Sequence, residues 1–114
     1  MTLSQIKSRQ AMIMAEIAKV GFCLPGSLVE RTTRCGNLGC ACQSDPARRH
    51  GPYPSWTRRV GGKTVTKTLN AKQAERYRPY FDNSRRLKAL IDELEELSVQ
   101  AVTHAEGWNT KVEH

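Results

Sequence analysis

Three cysteines and a histidine are the residues here whose types and spacing could do chemistry. Cys35, Cys40 and Cys42 lie within eight residues, in the string CGNLGCAC, and His50 follows eight positions after Cys42. Thiolate sulfur and imidazole nitrogen are the ligands zinc prefers, and three cysteines plus one histidine close a tetrahedral structural site. Gly36 and Gly39 permit the backbone turns that would bring Cys35 back towards Cys40. Residues two apart on an extended segment point the same way, so Cys40 and Cys42 can converge on one ion. Cys23 competes with His50 for the fourth position, or is a small buried hydrophobe. The rival readings are reduced, metal-free thiols and a redox or nucleophilic role. A fully liganded zinc leaves no position for a substrate. The sequence also shows no phosphate loop, nucleophile elbow or catalytic carboxylate pair. The expectation is a structural zinc in a protein that is not an enzyme.

Charge points to a partner. The 114 residues carry 18 Lys and Arg against 11 Asp and Glu, a formal net charge of +7. The distribution is uneven. Between Gly26 and Lys88 fourteen basic residues face four acidic ones, or +10, while the remainder holds four basic and seven acidic residues, or -3. A basic middle between near-neutral arms is the footprint of a polyanion-binding surface. The bland alternative is a solvated basic face with no partner. No apolar run approaches the length of a membrane helix, and Met1 to Gln10 lacks the layout of a signal peptide. A soluble, cytoplasmic protein is expected, in which cysteines serve metals or catalysis more often than disulfides.

These residues need elements to hold them. Ile6, Ile13, Ile17 and Val20 fall at helical spacing, which predicts an amphipathic helix over 4–20 with Ser4 as N-cap and Gly21 as stop. Ser27 to Arg34 reads as a short β-branched strand. Residues 35–52 have no period and form the Cys/His loop. Tyr53 to Val60 and Lys63 to Leu69 flank Gly61-Gly62, a two-residue hairpin signal. Asn70 with Gln73 makes a capping box that opens a second helix over 71–106, which Pro79 should interrupt or kink. In that helix Tyr80, Leu87, Leu90, Leu94, Leu97 and Ala101 form a stripe. It is long enough to pack on the first helix, or on its own copy in a dimer. The tail, 107–114, is expected to be flexible. The fold class is therefore α+β, a single domain over 1–106: an N-terminal helix, a small three-stranded antiparallel sheet with a zinc loop over 26–69, and a long kinked C-terminal helix. The zinc would compensate for a small core.

The hairpin register assigns the sheet faces. With Gly61-Gly62 as the loop, Val60 pairs with Lys63, Arg58 with Val65, Trp56 with Lys67 and Pro54 with Leu69. That face carries Trp56, Val60, Val65 and Leu69, and is expected to be the core side, with Lys67 over the indole. The opposite face carries Ser55, Thr57, Arg59, Thr64, Thr66 and Thr68. Hydroxyls and arginine contact phosphates and base edges, and strands can enter a groove. The expected nucleic-acid-binding residues are Arg31, Arg34, Arg48, Arg49, Thr57, Arg59, Lys63, Thr64 and Thr66. The partner is expected to be duplex DNA, with the leucine-striped helix as an alternative docking or dimerisation surface. An antiparallel sheet that simply turns one face to water is the plain alternative.

LPGSL at 24–28, CGNLGCAC, HGPY at 50–53 and the stretch from Trp56 to Lys63 together resemble a family of small uncharacterised bacterial proteins. The likeness covers about residues 22–100. It implies that the Cys/His cluster and HGPY form one module, and it implies no activity. In similar sequences a plain apolar residue more often stands at the position of Cys23. GPYPSWTRRVGGKTVTKTL before a helix is also similar to the amino-terminal arm domains of phage-type integrases, whose sheet docks in the major groove.

Overall fold

The structure is a computed structural model and describes residues 1–33, 37–45 and 50–108. In chain order it contains α1 (Leu3–Ala18), β1 (Ser27–Thr33), a short 3-10 turn (Ala41–Gln43), β2 (His50–Val60), β3 (Lys63–Thr68) and α2 (Ala71–Glu106). This is the α+β arrangement expected. The chain divides into two compact units, Met1–Cys23 with Asp82–His114, and Leu24–Phe81. The division falls inside α2.

In the first unit both helices have chemically defined ends. Thr2, not Ser4, is the N-cap of α1: its hydroxyl accepts from the Gln5 amide while the Gln5 side chain accepts from the Thr2 amide. Ser4 lacks this reciprocal pair, which satisfies two of the amide donors left over in a first helical turn. Gly21 follows the helix at φ 86°, where a side chain would be strained. At its far end α2 closes on Gly107 at φ 69°, with the Trp108 amide donating to Thr103 O and the Gly107 amide to His104 O. That is a Schellman cap. Of the tail expected to be flexible, 107–114, residues 109–114 lie outside the described residues.

Between these ends the apolar stripes meet. Ile6, Ile13, Leu90 and Leu97 form the buried core, with Ile17, Val20, Leu94 and Ala101 packed against it. Arg9 pairs with Glu93 at 2.7 Å and Arg86 with Glu16 at 3.9 Å, so later residues of α1 meet earlier residues of α2. The helices are antiparallel. The α2 contributors recur every third or fourth residue. Those of α1 fall on one face at the same spacing, with one step skipped between Ile6 and Ile13, as along a coiled-coil seam. Asn83 continues that spacing at the end of the seam and donates to Phe22 O at 2.9 Å.

The second unit is a three-stranded antiparallel sheet in the order β1-β2-β3, followed by the first turns of α2. Gly61 and Gly62 adopt φ 56° and 81°, the turn that suits a two-residue hairpin. The register Val60↔Lys63, Arg58↔Val65 and Trp56↔Lys67 follows as expected. The ladder stops at Ser55↔Thr68, and Leu69 reaches Pro54 only by donating its amide to that residue's carbonyl. Asn70 and Gln73 complete the expected capping box at the start of α2. Pro79 does not end the helix, which runs on through it to Glu106.

Candidate nucleic-acid interface

Side chains of ladder partners share a face, so the register sorts the sheet residues. One face carries Arg31 with Tyr53, Val29 with Ser55 and Thr68, Ser27 with Thr57 and Thr66, and Arg59 with Thr64. None of these residues is acidic. Arg31, Arg59, Thr64, Thr66 and Thr68 are exposed, and Tyr53 is 41% exposed. The Thr57 and Thr66 hydroxyls approach to 3.4 Å across the strands, and Arg59 donates to Gly62 O at 2.6 Å. That bond uses one of the five guanidinium donors and holds the side chain towards the hairpin tip. The exception on this face is Ser55, buried at 3% in the central strand between Val29 and Thr68.

The other face is less covered than the sequence suggested. Trp56 is half-buried and Leu69 buried, but Val60 and Val65 are 50% and 40% exposed. Only the end near α2 is a core side, because the buried α2 residues of this unit, Ala74 and Phe81, lie near the helix start and cannot cover the hairpin tip. The cation over the indole is Arg58, 4.2 Å from the ring centroid, and not Lys67. Arg58, two residues along the same strand, points to the same side as Trp56, and its flat guanidinium can lie on the ring. Lys63 is exposed and, as the partner of Val60, lies on this face rather than with Thr64.

Arg34, Arg48 and Arg49 lie outside the described residues, as do Cys35 and the side chains of Cys42 and His50. Among the described residues no group of three His, Cys, Asp or Glu could hold a metal. What is described is the frame around the cluster. Cys40 is half-buried at the N-cap of the 3-10 turn, its amide bonded to Asn37 O. Asn37 Oδ1 accepts from the Gly39 amide at 3.0 Å, and Asn37 O from the Gln43 side chain at 3.4 Å. Thr33 and His50 are ladder partners, so β1 and β2 bring the two ends of segment 34–49 together. Cys23 is half-buried and donates weakly to Gly21 O, in the other unit.

Sequence reasoning missed two contributors. Tyr53 joins the hydroxyl-rich face as the partner of Arg31, and its alternation with Ser55 and Thr57 along the expected strand was the signal. Tyr80 was assigned to the leucine stripe, yet it lines a cleft with Trp56 in the sheet unit. The aromatic run at Tyr77, Tyr80 and Phe81 marked that change of partner.

No helix among the described residues is long and apolar enough to cross a membrane. No curated protein and no solved structure matches the chain. Residues 3–79, from α1 through the three strands into α2, match one family, and the chain therefore belongs to that described as Domain of unknown function (DUF6788).

Proposed function

We propose that this chain is a DNA-binding accessory protein that lays one sheet face against the duplex and uses zinc only as a structural staple. A single observation carries the reading: Arg31, Tyr53, Thr57, Arg59, Thr64 and Thr66 share a sheet face with no acidic residue. Net charge supports it. The sheet unit holds eleven Lys and Arg against three Asp and Glu, or +8, while the helical unit has seven against eight, or -1. A sheet presented to the major groove contacts phosphates through its cations and base edges through its hydroxyls. Cys35, Cys40, Cys42 and His50 are read as the zinc ligands, and the pairing of Thr33 with His50, on either side of the cysteine loop, supports that reading.

The alternative, docking of a partner helix on the leucine stripe, has less support. Leu90 and Leu97 are already covered by Ile6 and Ile13 of the same chain.

Fluorescence anisotropy with labelled duplex DNA, single-stranded DNA and RNA, each at two salt concentrations, tests the proposal. Tighter binding to duplex, weakening as salt rises, is the expected result. Absence of binding to every probe at low salt would overturn it.

A further inference from the structure

We propose that the aromatic cleft on the opposite face of the sheet binds one nucleotide, its base among the rings and its phosphate at Lys67. The cleft has a volume of about 350 Å³ and is lined chiefly by Trp56, Lys67, Leu69, Tyr77, Tyr80 and Phe81. All belong to the sheet unit. That volume lies at the lower end of small-molecule sites, which are mostly apolar with a few placed polar groups.

The rings are held before any ligand arrives. The Trp56 indole N–H donates to Pro25 O at 2.8 Å, and the ring meets Phe81 edge-on at 6.1 Å and 78°. Tyr77 and Tyr80 lie 5.6 Å apart, tilted by 55°. Apolar surface in an open cleft is covered only by water, and a planar ligand ring laid against it exchanges that water for dispersion contacts.

Charge selects which planar ring. Arg58 sits over Trp56, Arg76 lies 5.6 Å from the Tyr77 ring, and Lys67 lines the cleft itself. The unit's three acidic residues, Glu30, Asp45 and Glu75, do not line it. An aromatic ligand with an anionic group fits this arrangement, and a base bearing one phosphate satisfies both halves. Stacking of bases on aromatic side chains tolerates any base, so no preference among the four follows. The site stands apart from the duplex reading, which uses the other face.

The test is a titration of the full chain with AMP, followed by tryptophan fluorescence in a Trp108→Phe background so that Trp56 alone reports. Saturable quenching by AMP is expected, with adenosine and ribose 5-phosphate each at least about tenfold weaker. Lys67→Glu, at an exposed position, should weaken AMP about tenfold while leaving adenosine unchanged. Tyr77→Leu keeps bulk and should weaken both. An eight-residue single strand that binds more tightly than AMP identifies a strand as the source, and equal affinity identifies the free nucleotide. Arg59→Ala should leave AMP quenching intact even where it weakens duplex binding, which separates the two proposals. No saturable quenching, or affinity for inorganic phosphate equal to that for AMP, would overturn the inference.

Discussion

The two units of this chain solve the problem of small size in opposite ways. The helical unit is nearly neutral and buries Ile6, Ile13, Leu90 and Leu97 in one seam. The sheet unit carries +8, and its buried residues among those described are only Ser55, Leu69, Ala74 and Phe81. A seam of aliphatic side chains excludes water by itself, whereas a sheet covered at one end must draw stability from elsewhere. The contrast teaches where to look for function. The unit that spends its surface on packing has little to offer a partner, and the unit that leaves cations, hydroxyls and aromatic rings accessible does.

The sharpest way to break this comparison is to remove the proposed metal. Structural zinc binding is folding free energy in small modules, so chelation should unfold the sheet unit while the helical seam survives. One zinc per chain is expected by elemental analysis, and Cys40→Ser should lose it. With chelator, Trp56 fluorescence should shift towards that of an exposed indole while helical circular dichroism is largely kept. A protein that is metal-free as purified and indifferent to chelator sinks the zinc reading.

The helical unit answers to a different substitution. Ile13 is wholly buried, and Ile13→Ala should cost about 2–5 kcal/mol in urea denaturation, from lost transfer energy and the cavity left behind. Leu94→Ala, at a half-buried position, should cost less. An Ile13→Ala loss below about 1 kcal/mol would show that the seam can collapse around the gap, and the contrast between units would fail.

How far the sequence was legible follows the same division. The helical seam could be read because a period of three to four residues needs no knowledge of the partner. The hairpin could be read because Gly61-Gly62 fixes its own register. Burial on the sheet was misread at Val60 and Val65, since alternation tells which face a residue occupies and not how far a helix extends over it. Trp56 illustrates the limit for the site. Its face was assigned correctly, but Arg58 rather than Lys67 covers the ring, a choice set by side-chain geometry and not by register. The stripe containing Tyr80 ran on into a second unit because helical periodicity carries no mark where the packing partner changes.

Duplex binding sharpens the comparison at a smaller scale. If four to six phosphates are neutralised, the logarithm of affinity should fall with the logarithm of salt at a slope of about -4 to -5, since each contact contributes about -0.9. Arg59→Ala should lower affinity for all sequences and flatten the slope by about one contact if it meets a phosphate. If it reads a base, the gap between preferred and random sequences should narrow instead. Lys7→Ala, in the near-neutral helical unit, should change neither slope nor affinity. Equal effects of the Arg59 and Lys7 substitutions would mean that charge acts without the sheet.

The smallest expected effect lies at the Arg9–Glu93 ion pair, whose electrostatics are clearly perturbed. Arg9 Nε and Nη2 both reach Glu93 Oε1 at 2.7 Å, with about a third or more of each side chain exposed. The hydrogen bond from Arg9 holds the Glu93 carboxyl below its ordinary value, and the guanidinium charge adds to the effect. The same bond and charge raise Arg9, which is already cationic throughout the working range. Only the acid limb therefore matters. A carboxylate whose folded pKa is depressed binds fewer protons in the folded than in the unfolded state. Its stabilisation is present above the unfolded value of about 4.3, and is lost as pH falls through the lower folded value. Solvent and salt screen a pair this exposed, so the contribution at neutral pH is small. Glu93→Gln keeps the side-chain length and should lower the Tm slightly at pH 7. The difference from the parent should shrink as pH drops below about 4.3, and also as salt is added at pH 7. A difference that persists unchanged into acid would assign the effect to packing along the seam instead of charge.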